Sequence, residues 1–355
     1  MTRSRGAARS KATANLSNGT PRRRAFLVGI NDYGNPRNNL NSCVADVHAF
    51  QQLLEDGYGF IEVKSLCDGD ATLSNVRDGL DWLLSDTTTS DDRLVYFQSS
   101  HGHHLTVGDS IEQVLVVRSD GDKPYEFLRD KELSARTQSL PPGVLTIALD
   151  ACYSGGMNKV LFTDEDISVA RAKVWLEDDD QQLSNAKALD DGVVAFKLFG
   201  RKTTRSSAAL ASDWSLPVET KKSLTVLSKA LDSNDVEVNG LLMAACQEGE
   251  TAAAGTPQTN NLSAFTFALL SCIDRLGRDQ PANELCDEAD KLLKQLRMQQ
   301  TPVVAEPPVP TGLGSRSFIT MTDGLQNKSL GDTSSVFAAI GTAVQHSLAD
   351  LKKGD

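Results

Sequence analysis

Short, continuous apolar runs alternate with longer segments of helical periodicity through the first 150 residues. The runs at 25–30, 94–98 and 144–149 contain no charged residues and end in turn residues, as strands buried on both faces do. Between the runs, apolar residues recur at helical spacing over 42–54 and 73–84. Strands that alternate with helices of about a dozen residues form mostly parallel sheets covered on both faces. The sequence therefore predicts an α/β fold with a mostly parallel central sheet.

The same alternation returns in the last third of the chain. A strand is predicted at 241–245, followed by helices over 263–276 and 282–298. These elements extend the pattern of the first half, so we assign 24–320 to one α/β domain.

Three segments fall outside this pattern. Residues 1–23 are rich in Arg, Ser, Ala and Asn and predict a basic disordered arm, and 321–355 predict a tail with a candidate helix. Residues 157–235 have weak periodicity and combine an acidic run at 177–180 with a basic, hydroxyl-rich stretch at 200–207. We interpret 157–235 as a long, partly flexible insertion within the domain.

The charge is unevenly distributed along the chain. The net charge is −11, yet the first 24 residues carry seven basic side chains and no acid, which leaves −18 for the rest. A body this acidic repels phosphate backbones, so nucleic-acid binding is not expected as the main function. The basic arm could contact a nucleic acid or an anionic membrane, or serve only as a solubilising extension.

Cysteine spacing and hydropathy indicate the compartment. The six cysteines are far apart, with no CxxC pair, so neither a disulfide framework nor a zinc site is predicted. No stretch approaches the roughly 18 apolar residues of a membrane span. The pair at 23–24 looks like a twin-arginine export signal, but only six apolar residues follow it. We therefore expect a reducing, cytoplasmic setting without membrane contact.

Two of the predicted strands end in residues that can perform chemistry. The run at 94–98 leads into Ser99-Ser100-His101-Gly102, and the run before Asp150 leads into Ala151-Cys152. In open α/β sheets, ligands bind beyond the carboxyl ends of the strands. A His and a Cys placed there can face each other, as nucleophilic cysteine catalysis requires.

The segments around both strand ends match motifs of one protein family. Residues 99–102 stand where the caspase/metacaspase family (peptidase C14-like) has SGHG, and 150–155 stand where it has DxCHSG. Four further segments match in family order: 26–33, 40–47, 245–252 and 264–266. The likeness covers about residues 24–310, excluding the insertion, and is greatest for the prokaryotic metacaspase-like or orthocaspase-like branch. Ser100 replaces a glycine and Tyr153 a histidine, and both changes leave thiol chemistry intact.

The resemblance implies a caspase-like fold and a cysteine endopeptidase. Cys152 would be the nucleophile and His101 the base, with the backbone N–H groups of Gly102 and Cys152 as oxyanion donors. No third residue of a triad is evident from the sequence. His103 and His104 are a rival base or half of a metal site, although no partner stands at ligand spacing.

The resemblance also implies a pocket for the residue before the scissile bond. Asp46, Ser99 and Asp150 would line this S1 pocket, and Glu248 and Glu250 could add to its negative field. Two carboxylates favour protein or peptide substrates with Arg, then Lys, at this position. Alternatively, Asp46 caps a helix and Asp150 only orders its loop.

No cofactor is expected, although calcium stays open. Asp130 matches part of an acidic segment that binds calcium in metacaspases, but Lys131 replaces the next acid. Asp120 and Asp122 could supply oxygen ligands, of which calcium needs six to eight. The alternative is a solvated acidic loop.

The insertion suggests regulation by cleavage. It lies where caspase relatives carry a processing linker, and Arg201, Lys202 and Arg205 suit the inferred basic specificity. We therefore expect a zymogen, cut by itself or by an upstream activating protease. Analogy with bacterial relatives suggests a role in regulated cell death or defence.

Two other classes of function compete with this hypothesis. One is a catalytically idle caspase-fold scaffold that binds partners through its arm and insertion. The other is a flavodoxin-like nucleotide-binding module, but no glycine-rich phosphate loop follows the first strand.

Overall fold

A computed structural model describes residues 21–107, 110–152, 172–173, 175, 237–247 and 250–319. Nine strands lie in this part of the chain: β1 (Arg23–Gly29), β2 (Glu62–Cys67), β3 (Arg93–Ser99), β4 (Gly102–Val107), β5 (Ser110–Arg118), β6 (Tyr125–Arg129), β7 (Leu145–Asp150), β8 (Leu241–Ala244) and β9 (Val303–Ala305). Six of them form the central sheet in the order β2–β1–β3–β7–β8–β9. All pairs in it are parallel except β8–β9. The predicted mostly parallel sheet is therefore confirmed.

Among the described residues, five α-helices accompany the strands: α1 (Cys43–Gln52), α2 (Leu73–Leu83), α3 (Asp130–Arg136), α4 (Ala264–Leu276) and α5 (Ala282–Gln295). Helices α1 and α2 cover opposite faces of β1. A Cβ on Gly29 would lie 2.5 Å from the Cys43 carbonyl oxygen of α1, whereas a Cβ on Gly79 of α2 would meet the Phe26 ring. Residues 26 and 29 point to opposite sides of a strand, so helices cover both faces, as predicted.

A second, antiparallel sheet follows His101 directly. It has the order β4–β5–β6, with Gly102 opposite Leu115. The Val116 N–H donates to the His101 carbonyl at 3.0 Å, so this sheet supports the loop that carries His101. Sequence analysis did not predict β4, since residues 102–107 lack a clear apolar alternation.

The ends of the domain differ in part from the predicted boundaries. Strand β1 begins at Arg23, inside the predicted arm, because the guanidinium of Arg23 donates to the Tyr58 carbonyl at 2.9 Å while its side chain is buried. Arg22 forms an ion pair with Asp92 at 2.7 Å. The rest of the arm and the predicted helix in 321–355 lie outside the described residues. Within the described residues, no helix is long and apolar enough to cross a bilayer.

Candidate active site

The two strand ends that carry His101 and Cys152 are neighbours in the sheet. Strands β3 and β7 pair in register, with Ser99 opposite Asp150. The pairing continues past the strands, where the Ser100 N–H donates to the Asp150 carbonyl at 3.2 Å. His101 and Cys152 each lie two residues beyond the paired positions, and both are buried. The sheet therefore brings the predicted base and nucleophile to one edge.

Gly102 is required by the close approach of these two loops. A Cβ at this position would lie only 1.6 Å from the Cys152 carbonyl oxygen. Any side chain would force the loop of His101 away from the loop of Cys152.

The His101 ring is held in one tautomer. Its Nε2 lies 2.6 Å from the backbone carbonyl oxygen of Asn38, which can only accept, so Nε2 carries the proton. The lone pair is then on Nδ1, the nitrogen available to act as a base. Burial of the ring lowers the pKa of His101 to about 4, so the ring is neutral at pH 7. No side chain that could orient His101 was evident from the sequence. The Asn38 carbonyl orients the ring instead, and a backbone carbonyl has no sequence signature.

Tyr33 positions the loop that carries this ring. Its hydroxyl accepts from the His101 N–H at 2.9 Å and donates to the Val116 carbonyl at 3.3 Å. The two rings are also in contact, with centroids 4.9 Å apart. Tyr33 thus connects the catalytic loop to the second sheet.

The Cys152 thiol is protonated in this arrangement. Its Sγ accepts from the Ala252 N–H at 2.8 Å and donates to the Ala252 carbonyl at 3.4 Å. Burial raises the pKa of Cys152 to about 12, against the smaller stabilising effect of the Ala252 N–H on the thiolate. Because His101 is neutral as well, neither residue of the pair carries a charge in this structure.

The predicted pocket residues Asp46, Ser99 and Asp150 come together and are fully buried. The Ser99 hydroxyl donates to Asp46 Oδ2 at 2.6 Å. Burial raises the pKa of Asp46 to about 6, and Lys173 opposes this rise. The pocket is thus acidic and closed to solvent.

Both carboxylates are fixed by the amino-terminal turn of α4. The Ser263 N–H donates to Asp46 Oδ1 at 2.8 Å, and Thr266 donates to Asp150 Oδ2 from its N–H at 3.0 Å and its hydroxyl at 2.7 Å. The start of a helix favours negative charge, because its first N–H groups have no partners within the helix. Asp46 therefore does cap a helix, although a different one from its own, and this role coexists with a place in the pocket.

A lysine from the insertion fills this pocket. The Nζ of Lys173 lies 2.8 Å from Asp150 Oδ1, 2.9 Å from the Asp150 carbonyl oxygen, 2.8 Å from Ser99 Oγ and 3.6 Å from Asp46 Oδ2. The side chain is fully buried. Burial alone would lower the pKa of Lys173, but Asp150 and other nearby groups reverse this, and the net pKa lies above its usual value.

The backbone of Lys173 is held by hydrogen bonds to the loops beside Cys152. Its N–H donates to the Ala252 carbonyl at 2.9 Å, and Ala172 forms an antiparallel bridge with Ala253. Its carbonyl oxygen accepts from the Gly102 N–H at 3.3 Å. Gly102 thus donates to this carbonyl, as expected of an oxyanion donor, whereas donation from the Cys152 N–H stays a prediction.

Other predicted residues lie elsewhere. The Glu250 carboxylate accepts from the Thr301 N–H at 2.7 Å and from the Gln247 N–H at 3.2 Å, so it orders its own loop, and its contribution to the field of the pocket stays a prediction. The His103 ring packs on Phe127, with centroids 5.9 Å apart. Arg201, Lys202, Arg205 and Glu248 lie outside the described residues.

The acids considered for calcium do not form a metal cluster where the structure describes them. Asp120 accepts from the N–H and the hydroxyl of Ser74, at the start of α2. Within the described ranges, no group of three or more His, Cys, Asp and Glu side chains could hold a metal ion. The expectation of no cofactor, with calcium as the open alternative, therefore stays a prediction.

Sequence analysis missed Lys173, Ser263 and Thr266. Ser263 is the first residue of the predicted helix and the N-cap of the observed one, a position where serine is common, and Thr266 lies in the first turn. Lys173 had a weaker signal. It is a basic residue in the predicted linker, and so are Arg201, Lys202 and Arg205.

The comparisons with known proteins agree with this geometry. The family model described as "Caspase domain" matches residues 22–309. The chain belongs to this family. Metacaspase-1 of the yeast Meyerozyma guilliermondii is 24% identical over 81% of this chain and 70% of its own length. Metacaspase-9 of Arabidopsis thaliana is 24% identical over 79% of this chain and 92% of its own length. Membership in the caspase family, with metacaspases as relatives, supports a cysteine peptidase.

Coverage of other relatives is lower. Metacaspase-1 of Schizosaccharomyces pombe is 30% identical, but over only 40% of this chain and 36% of that protein. Among solved structures, protein GSU0716 of Geobacter sulfurreducens aligns with a TM-score of 0.51 at 18% identity, over 85% of this chain and all of that one. This likeness concerns the fold alone. The assignment to a prokaryotic branch stays a prediction.

Proposed function

We propose that the chain is a cysteine endopeptidase that cleaves after Arg or Lys, with Cys152 as nucleophile and His101 as base. The observation that carries this proposal is the seat of Lys173. Its ammonium group lies between the pocket carboxylates while its carbonyl oxygen accepts from Gly102. A substrate with a basic residue before the scissile bond would bind in the same way.

The chemistry follows from the roles proposed for the two residues. Nδ1 of His101 takes the proton of Cys152 as the sulfur attacks the substrate carbonyl carbon. The Gly102 N–H stabilises the oxyanion that forms. The C–N bond then breaks, and His101 returns the proton to the leaving amine. Water, activated by the same nitrogen, hydrolyses the thioester and frees the enzyme.

The preference for Arg over Lys rests on the arrangement of acceptors around the pocket. Asp46, Asp150 and Ser99 surround the cation from different directions. The planar guanidinium of Arg presents five donors and can reach two acceptors at once, whereas the ammonium of Lys is a point charge. The Asp preferred by animal caspases would meet like charge in this pocket.

We also propose that the chain is made as a zymogen. The segment that contains Lys173 occupies the pocket that a substrate needs, so the uncut chain inhibits itself. The bond between Lys173 and Val174 is the first candidate for self-cleavage, since the Lys173 carbonyl already lies at the oxyanion donor. Arg201, Lys202 and Arg205 remain candidates for further cuts, by this enzyme or by an upstream protease. A cytoplasmic location fits the six free cysteines.

A fluorogenic Arg peptide tests the proposed activity. We expect Cys152→Ala and His101→Ala each to lower turnover by about a thousandfold or more, because nucleophile and base act as a unit. Cys286→Ala, which removes a buried thiol of α5 away from the site, is the matched control and should keep activity. A wild-type chain that is inert towards Arg and Lys peptides even after cleavage behind Lys173 would favour the scaffold hypothesis. Turnover by Cys152→Ala would require another nucleophile.

A further inference from the structure

Trp175 lies two residues after Lys173 and is buried, with 4% of its surface exposed. If the bond after Lys173 is the one attacked, Trp175 stands at the second position on the leaving side, conventionally P2′. Its ring lies against three rings of the folded domain. The centroid distances are 4.4 Å to Tyr125, 5.2 Å to Tyr33 and 5.6 Å to His101.

Contacts within the folded domain hold the rings that receive Trp175. The Tyr33 hydroxyl is fixed by the His101 N–H and the Val116 carbonyl. Tyr125 begins β6 and packs on Phe127 with centroids 5.4 Å apart. Because these contacts do not involve the insertion, the ring-lined space that receives Trp175 should persist when another chain occupies the active site.

The space between these rings requires no hydrogen-bonding group from the side chain that occupies it. Trp175 Nε1 is buried and has no hydrogen-bond partner among the described residues. A buried N–H without a hydrogen-bond partner costs free energy. Contacts with the three neighbouring rings therefore hold the indole, and its N–H does not help to hold it. Phe, which offers the same kind of ring without a donor, should fit equally well.

We propose that Tyr33 and Tyr125 form an S2′ subsite that selects an aromatic side chain two residues after the scissile bond. This inference rests on the proposed function, because it takes Lys173 as the residue before that bond. Edge-to-face and tilted ring contacts add to the free energy of simple burial. The enzyme would therefore recognise a basic residue immediately before the bond that it cuts and an aromatic residue at the second position after it.

Three quenched peptides test this subsite. They carry Ser-Ala-Lys-Val-Trp, Ser-Ala-Lys-Val-Phe or Ser-Ala-Lys-Val-Ala, with serine in place of Arg171 so that only one basic residue is present. With the wild-type chain after self-cleavage, we expect kcat/KM for the Trp and Phe peptides to exceed that for the Ala peptide by about tenfold. Mass spectrometry of the products should place every cut between Lys and Val.

Variants of Tyr125 test whether this ring is responsible. Tyr125→Ala should bring the Trp-to-Ala ratio of kcat/KM close to one, whereas Tyr125→Phe keeps the ring and should keep the ratio. The ratio is measured within one protein, so a general loss of activity does not affect it.

The outcomes separate the subsite from the activity itself. Equal kcat/KM for the Trp and Ala peptides in the wild type would overturn the subsite, provided that a dye substrate with Arg and no P2′ residue is still cleaved. If neither the dye substrate nor any peptide is cleaved, the proposed function fails and the subsite fails with it. A ratio unchanged in Tyr125→Ala would also overturn the role of this ring.

Discussion

The ammonium group of Lys173 lies 2.8 Å from the carboxylate of Asp150, and both side chains are fully buried. Asp150 ends the central strand β7, whereas Lys173 belongs to the insertion that follows Cys152. A buried charge that loses its partner costs about 3–5 kcal/mol. This pair therefore anchors Lys173 in the site, and we propose that it also defines the kind of side chain that the site accepts.

Asp150 should matter more than Asp46 for cleavage after basic residues. Asp150 contacts the ammonium group directly, whereas the nearest oxygen of Asp46 is 3.6 Å away. We expect Asp150→Asn to lower kcat/KM for an Arg peptide by about 2–5 kcal/mol in transition-state free energy, and Asp46→Asn by about 1.5–3 kcal/mol. Steady-state kinetics on both variants would check the order. A greater loss in Asp46→Asn, or a substrate library that favours Asp, would contradict the assigned pocket.

Self-cleavage should weaken in mild acid. With a basic side chain in the pocket, the pKa of Asp46 is about 6, raised mainly by burial. Below that pH, Asp46 takes up a proton and the pocket loses one negative charge, so the seated Lys173 is held less tightly. The first-order rate of self-cleavage should therefore fall as the pH drops below about 6. Asp46→Asn cannot titrate there and should lack this inflection, so the same inflection in that variant would contradict the assignment.

Gly102 should tolerate no side chain. Because its Cβ would lie 1.6 Å from the Cys152 carbonyl oxygen, Gly102→Ala must push the two catalytic loops apart. We expect a loss of at least about a hundredfold in kcat/KM, since misplacement of about 1 Å has an effect of this size. The matched control is Gly69→Ala, whose Cβ would meet no atom within 4 Å. Full activity in Gly102→Ala would contradict the described geometry of the loops.

The fold was largely predictable because its strands are apolar and buried on both faces. Such runs are visible in a sequence, and β1, β3, β7 and β8 were found from them. Strand β9 was not, because it is three residues long and lies in a proline-rich segment. The antiparallel strand β4 was also missed. It begins immediately after His101, where the residues were interpreted as part of a catalytic loop.

The site was predictable where it depends on motifs. His101, Cys152, Asp46, Ser99 and Asp150 were found by resemblance, and the structure brings the two strand ends together and all three pocket residues into contact. Asn38 contributes through its backbone carbonyl, which any residue could supply. Lys173 could be identified only from the structure, because nothing in its local sequence distinguishes it from the other basic residues of the insertion.

The identity of the chain ends produced on incubation tests most directly whether Lys173 is presented to Cys152 as a substrate. Wild type, Cys152→Ala, Lys173→Arg, Lys173→Gln and the triple variant of Arg201, Lys202 and Arg205 would be incubated and their fragments sequenced by mass spectrometry. We predict a fragment that begins at Val174 in the wild type, in Lys173→Arg and in the triple variant, and no such fragment in Cys152→Ala or Lys173→Gln. A fragment beginning at Val174 in Cys152→Ala, or a wild-type chain that stays uncut while it turns over an Arg peptide at full rate, would contradict this.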